Sequence, residues 1–478
     1  MCCLTAADPD ATLFLSHLVR FPQFLARKQV GRTILQFYAG HPPMPTLSVF
    51  LKVVAILVSM GVAAELNPSP AAELPLAPPP ADTIRPLASA EIVPFARPEL
   101  PESLLRGHEL ASAVTAGFSM EGLLRAEQAV RMEHERGGFP GAALAIGRGR
   151  HVVLERGVGR LGWSAGEDRV DPDYTVYDIA SLTKVVAATT AVMLLVEDGK
   201  MSLDAPVIRY LPNFVGTGKE RVTVRHLLTH TSGLPAGANI WAPSPAEALI
   251  RALAVPLKAV PGRQVEYSDL SFVVLWAAAE RTADEPLFRL LDRRVFGPLE
   301  MFSTTFLPGE GCGRCAPTAR RPDGSEIRGR VHDPTAFRLG GVTGNAGLFS
   351  TAHDLGRFAA MLAGGGELDG VRVLREETVG EFSRRQPGAG TRALGWDTPN
   401  RDGTGAAGVR ISTRAFGHTG FTGTSMWIDP DRGTWTVLLS NRTYETKGAN
   451  RIQQVRRSVH DWMTLASGPL SSGPAMAR

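Results

Sequence analysis

Apolar and polar positions along the chain fall into two periods, and each predicts its own elements. "GAALAIGRG" and "HVVLERGVG" are short apolar runs on either side of a Gly-Arg turn and read as paired strands. "TSMWIDP" and "TWTVLLSN", joined by "DPDRG", read as a second hairpin close to the C-terminus. Helical spacing governs "MEGLLRAEQAVRMEHERGG", stopped by Gly137 and Gly138, and the closing "NRIQQVRRSVHDWMTLA". The region from about 200 to 390 is rich in helices and loops, through "TVRHLLTHTSGLP", "PAEALIRALAV", "SFVVLWAAAERTA" and "TAHDLGRFAAMLAGGG". Strands near both ends with helices between predict an α/β (α+β) fold. One antiparallel sheet is built from both termini and flanked by helices, beside a mostly helical lobe.

One apolar run belongs to a different class. "MPTLSVFLKVVAILVSMGVAAE" begins at Met44, carries Lys52 and continues apolar from Val53 to Ala64. The run after Lys52 is short for a bilayer span of about 20 residues but suits a signal-peptide core, with small residues for cleavage after Ala64. An uncleaved anchor drawing on residues 46–64 stays open. Either reading expects a periplasmic or secreted protein, membrane-anchored in the second case. Residues 1–43 fit no export signal and form an unassigned extension, with Met44 as an alternative start. Residues 65–107 are proline-rich and read as an extended linker, 108–468 as the catalytic body, and 469–478 as a flexible tail. A body of that length exceeds the usual single core of about 250–300 residues, which favours two lobes around a cleft.

Composition narrows the partners. Of 478 residues 44% are hydrophobic and 21% charged, with a formal net charge of +4, so the body is globular. No basic stripe with interleaved aromatics occurs, which argues against nucleic acid. The cysteines are Cys2, Cys3, Cys312 and Cys315, too few for an extensive disulfide framework. "CGRC" leaves a redox pair, half a zinc site or a local disulfide open, and an inert loop pair is favoured. No second CxxC occurs, and His332 has no companion at ligand spacing. No metal and no organic cofactor is expected.

The candidate chemistry begins in "YDIASLTKVVAATT", where Ser181 and Lys184 stand one helical turn apart at the mouth of an apolar run. A serine hydroxyl needs a base within hydrogen-bond reach, and residues at i and i+3 share a helix face. Burial favours the neutral amine, so an apolar helix behind the pair predicts a lysine pKa lowered enough to act as that base. The helix N-terminus adds positive potential and amides that can face an oxyanion. Alone, this SxxK reads rather as an N-cap serine beside a snorkelling lysine.

Two further motifs follow in order: Tyr267-Ser268-Asp269 in "VEYSDLSF" and His418-Thr419-Gly420 in "FGHTGFTGT". SxxK, then YxN or SxN, then KTG is the ordered triplet of the serine β-lactamase and penicillin-binding families. With "RHLLTHTSGLP", "FGPLEM" and "VHDPTAFRLGGVTGNAGLFSTAHDL", the chain resembles the class C β-lactamase-related serine hydrolases over 108–468. This family includes cell-wall peptidases, amidases and esterases. The resemblance implies a β-lactamase/transpeptidase-like fold, Ser181 as nucleophile, Lys184 as its base and Tyr267 as proton shuttle to the leaving group. It also implies an oxyanion hole from the backbone N–H groups of Ser181 and Phe421, with Asp269, His418, Thr419 and Gly420 lining the substrate site.

Two departures bear on specificity. His418 stands where the family has a lysine for a substrate carboxylate, and an ordinary histidine is mostly neutral at pH 7 but titrates near it. Asp269 stands where the family has asparagine, losing an amide donor and adding a charge that raises the lysine pKa if close. Both argue against a proficient β-lactamase. The expected function is an exported hydrolase working through a Ser181 acyl-enzyme on an amide or ester, either a D-Ala peptide, a muropeptide or a small ester. The rivals are a penicilloyl sensor that acylates without turnover and a wall-associated scaffold with a decayed site.

Other features weigh less. His226 and His230 have the spacing of a helical metal pair but no accompanying glutamate, and read as structural. "GGVTGNAG" lacks the lysine of a phosphate loop and reads as a tight turn into the helix after Thr351, with lining of the cleft as the less favoured role. Ser232 has no base at fixed spacing, and no GxSxG occurs.

Overall fold

The computed structural model describes residues 113–400 and 402–468. The extension, the export segment, the linker and the tail expected from sequence lie outside the described residues.

Helix α1 (Met120–Glu135) starts where the Ser119 hydroxyl accepts a hydrogen bond from the Gly122 N–H, and it ends before Gly137 at φ +80°. Strands β1 (Gly141–Arg148) and β2 (His151–Gly159) form the first expected hairpin. After β3 (Tyr177–Asp178) the chain becomes helical at Ala180 and continues into α2 (Thr190–Glu197). The middle of the chain then supplies α3 (Asp269–Ala283), β4 (Thr305–Phe306), β5 (Leu348–Ser350) and α4 (Ala352–Ala363). Strands β6 (Phe416–Thr419), β7 (Ser425–Asp429) and β8 (Thr434–Ser440) return to the first hairpin, and α5 (Ile452–Ala466) closes the body.

The main sheet runs β6-β7-β8-β1-β2, antiparallel throughout, with β1 from one end of the body paired to β8 from the other. Both faces of β1 are covered. Ala142, Leu144 and Ile146 pack into a layer with α1 and α5, while Ala143 and Ala145 join the main core with α2, α3 and α4. A strand buried on both faces loses its polar alternation, which is why "AALAI" is apolar without a break. Helices α1 and α5 cross closely at Gly122, where an added Cβ would lie 2.6 Å from the Ala466 Cβ. The structure therefore has the sheet and flanking helices that the sequence pattern predicts.

The expected single helix from Ser181 to Val196 needs correction in its winding. It opens as a tight 3₁₀ turn (Ala180–Leu182), widens into a π-helical stretch (Lys184–Thr189) and only then becomes α-helical. The Thr189 and Thr190 hydroxyls donate to the carbonyls of Lys184 and Val185, five residues back, and so occupy carbonyls of the widened turn. A second small sheet, β3-β5-β4, was not foreseen, because strands of two or three residues carry no readable period.

Candidate active site

Ser181 sits just beyond β3, on a turn that the chain holds against local preference. Ala180 has φ +49°, a left-handed conformation that costs a non-glycine residue on the order of 1 kcal/mol or more. The turn is fixed from below by Asp178, whose carboxylate accepts from the N–H groups of Ala180 at 2.8 Å and His332 at 2.7 Å. Burial pushes the Asp178 carboxyl up to about 6, against those two hydrogen bonds.

Lys184 is fully buried, and its Nζ donates to Ser181 Oγ at 3.0 Å, Asp269 Oδ1 at 2.6 Å and the Asn345 carbonyl at 2.9 Å. This geometry corrects the expectation of an amine kept neutral by apolar surroundings. Burial does pull the pKa down and is the largest single influence, yet Tyr267 and the charge and hydrogen bond of Asp269 together raise it above the ordinary value. The resting site therefore holds an ammonium paired to a carboxylate. Asn345 lies in the glycine-rich loop before β5, so that loop reaches Lys184 through its backbone.

Tyr267 is presented by the residues that start α3. Ser268 caps the helix by accepting from the Ser271 N–H, and its own N–H donates to His230 Nδ1 at 3.0 Å. His230, at φ +57°, lays its ring 4.5 Å from the Tyr267 ring, centroid to centroid. The Tyr267 ring lies 4.9 Å from Lys184 Nζ and 6.0 Å from the His418 ring. Thus Ser181, Lys184, Tyr267, Asp269 and His418 converge, although 237 residues separate the first from the last in sequence.

The third motif docks directly on the turn that carries Ser181. The Thr422 and Thr424 hydroxyls donate to the carbonyls of Asp178 (2.7 Å) and Ile179 (2.9 Å). Gly420 approaches so closely that a Cβ there would lie 2.0 Å from Thr424 Oγ1 and 2.5 Å from the Ile179 carbonyl oxygen. Phe421 follows with an N–H that has no acceptor among the described residues and a ring that is 62% exposed. A free N–H is what an oxyanion donor requires.

His418 is buried on β6, and its Nδ1 lies 2.8 Å from the Thr419 carbonyl, which assigns the proton to that nitrogen. Burial above all, with Arg392 and Lys184 adding like charge, holds its pKa well below the ordinary value. The expectation that His418 titrates near neutral pH is therefore corrected: it stays a neutral ring.

Several contributors escaped the sequence reading. Arg392 places its guanidinium 5.3 Å from the Tyr267 ring, and its Nη1 is 3.7 Å from Asp397 Oδ2. Arg456, buried on α5, donates through Nη2 to the carbonyls of Gly420 at 2.8 Å and Thr424 at 2.7 Å, fixing the third-motif loop. Burial, with Arg442 adding to it, pulls the Arg456 pKa down to about 9. One signal was present in sequence: Arg456 and His460 interrupt the apolar face that Ile452, Val455, Val459 and Met463 define.

The remaining candidates resolve as local structure. His226 Nδ1 accepts from the Thr223 N–H at the start of a short helix, and Ser232 Oγ lies 2.9 Å from Ser271 Oγ. Cys312 and Cys315 form a disulfide, the local bridge among the three alternatives. Glu155, Asp173 and His353 are the one group with metal-ligand proximity among the described residues. His353 Nδ1 lies 3.5 Å from Glu155 Oε1 and 3.4 Å from Asp173 Oδ1. Burial opposes charge on His353, yet the two carboxylates push its pKa up to about 10, so an imidazolium pairs with them.

Comparison with known proteins agrees with this architecture. The family model described as Beta-lactamase matches residues 126–460. A protein of Salmonella schwarzengrund named "Putative D-alanyl-D-alanine carboxypeptidase" is 30% identical over 371 residues, covering 70% of this chain and 86% of its own length. A penicillin-binding protein homologue from Caulobacter crescentus superimposes with a TM-score of 0.58 at 20% identity, over 72% of this chain and 99% of its own. EstCE1, a hydrolase with promiscuous acyltransferase activity, gives 0.57 at 22% identity, over 71% and 99%. At those identities the two structures establish the fold alone.

Proposed function

The chain belongs to the β-lactamase family of hydrolases, and from that premise we propose that it is a serine carboxypeptidase acting on peptides with a free C-terminal carboxylate of the D-alanyl type. The observation that carries the reading is Arg392. The family's third-motif lysine is absent and His418 is neutral, yet a guanidinium stands over Tyr267 beside that histidine. It restores the fixed cation from another part of the chain, in a form suited to bidentate binding of a carboxylate.

The proton path follows from the two short contacts of Lys184. For Lys184 to accept the Ser181 proton, its own extra proton must first pass along the 2.6 Å contact to Asp269. Substrate covering the cleft excludes water from Asp269, and a drier setting favours the neutral acid–amine pair over the ion pair. Ser181 Oγ then attacks, its proton goes to Lys184, and Tyr267 delivers a proton to the leaving amine. The oxyanion faces the N–H groups of Ser181 and Phe421, and water later releases the acyl group by the reverse sequence.

The test compares a peptide ending in free D-alanine with its C-terminal amide, in wild type and Arg392→Gln. The reading expects the free acid to be cleaved at least about tenfold more efficiently, a difference of roughly 1.4 kcal/mol, and expects Arg392→Gln to erase that preference. Equal cleavage of both peptides by wild type would defeat it. A second reading, a slowly hydrolysing acyl-enzyme that serves as a sensor, is favoured by the Lys184–Asp269 pair, since deacylation also needs a neutral base. A stoichiometric burst without turnover would select it.

Export belongs to the same proposal. The disulfide between Cys312 and Cys315 supports an oxidising compartment, and residues 44–64 supply the expected signal or anchor. Fusion of residues 1–107 to a reporter active only outside the cytoplasm tests it, and an inactive reporter made in full amount would oppose it.

A further inference from the structure

Arg442 follows β8 and is tied to the third-motif loop, its N–H donating to the Thr422 carbonyl at 3.0 Å. Its guanidinium lies 4.9 Å from the Phe421 ring, whereas that of Arg392 lies against the Tyr267 ring. The His332 ring stacks on Phe421 at 5.9 Å and 25°, and burial, the strongest influence on that histidine, favours its neutral form. Among the described residues the Arg442 guanidinium makes no ion pair and no hydrogen bond, and its Nε is buried without a partner. Burial lowers its pKa accordingly. Arg456, by contrast, satisfies itself on two carbonyls.

A partly desolvated guanidinium without a counter-ion is costly unless an anion completes it. Here it stands beside the exposed ring of Phe421 on the third-motif loop. We propose that Phe421 and Arg442 form an acyl-side subsite for a substrate group that carries a carboxylate on a short apolar stem. The stem lies on the Phe421 ring and the carboxylate takes the Arg442 fork. Together with Arg392, which faces the leaving group, this defines a substrate anionic on both sides of the scissile bond. The inference rests on the reading of the cleft as an acyl hydrolase.

The experiment uses matched N-acetyl thioesters, glutamyl against glutaminyl, in D and L forms, with the full-length protein. The subsite predicts a preference for the carboxylate of about tenfold in kcat/KM, carried by KM, in at least one stereoisomer. That ratio should fall to near one in Arg442→Gln, return in part in Arg442→Lys, and shrink as salt screens the pair. Each ratio is taken within one variant, so a less stable mutant cannot imitate the effect. Equal use of both thioesters by wild type, or a preference that survives in Arg442→Gln, overturns the subsite and leaves the hydrolase reading intact. Hydrolysis of neither thioester overturns both.

Discussion

Lys184 Nζ lies closer to Asp269 Oδ1, at 2.6 Å, than to Ser181 Oγ, at 3.0 Å. On the proposed mechanism, the group that takes a proton from Ser181 is thus committed first to a carboxylate, and its charge is a resting state that catalysis has to undo. The pH behaviour of the enzyme should follow from that contact.

Asp269→Asn restores the amide that the family carries at this position and removes both the charge and the charged hydrogen bond that raise the Lys184 pKa. The rising limb of kcat/KM against pH should then move to lower pH, with a gain in rate at a fixed pH on that limb. A pH–rate series on one thioester measures it. A limb that stays in place would show that Lys184 is not the group being titrated.

His418→Asn should leave the shape of the profile between pH 6 and 8 unchanged, because the buried ring is already neutral there. Its effect, if any, should appear as a uniform change in rate. Overlaying normalised profiles of the two proteins checks this, and a moved inflection would mean that the histidine titrates in the working range.

Gly420→Ala places a methyl 2.0 Å from Thr424 Oγ1 and 2.5 Å from the Ile179 carbonyl. The loop must shift off the nucleophile turn, at a cost of about 1–3 kcal/mol in stability. The Phe421 N–H moves with it, so kcat should fall by about 100-fold or more, as for loss of an oxyanion donor. Denaturant melts and steady-state rates measure the two effects, and unchanged kcat would remove Phe421 from the oxyanion role.

His460 is fully buried beside Arg456, and burial, then that charge, pulls its pKa down to about 3. The folded value lies below the unfolded value of about 6.5, so its contribution to stability is present above pH 6.5 and is lost as pH falls toward 3. Between pH 6.5 and 4.5 the loss should approach about 2–3 kcal/mol. Urea melts of wild type and His460→Gln across that range test it, the variant showing the shallower decline. Parallel slopes would contradict the assignment.

The sequence made the hairpins and the terminal helices legible because their apolar patterns run for five residues or more and their turns are marked by glycine. It also made Ser181, Lys184 and Tyr267 legible, because short motifs hold each of them at fixed spacing. The charge state of Lys184 was not legible. It depends on a 2.6 Å contact between residues 85 apart, and no local pattern says whether Asp269 or only apolar neighbours will face the amine. Arg392 and Arg442 were hidden for the same reason: each is an ordinary loop arginine until the fold sets it against Tyr267 or Phe421. Arg456 was visible in principle, as a cation on the apolar face of α5, and a wheel of that helix would have flagged it.

Labelling with a fluorophosphonate, followed by peptide mapping, tests the acyl-enzyme most directly. The account predicts a single adduct of one probe per chain on Ser181, lost in Ser181→Ala together with all thioester hydrolysis. An adduct on another residue, or hydrolysis that persists in pure Ser181→Ala protein, would contradict it.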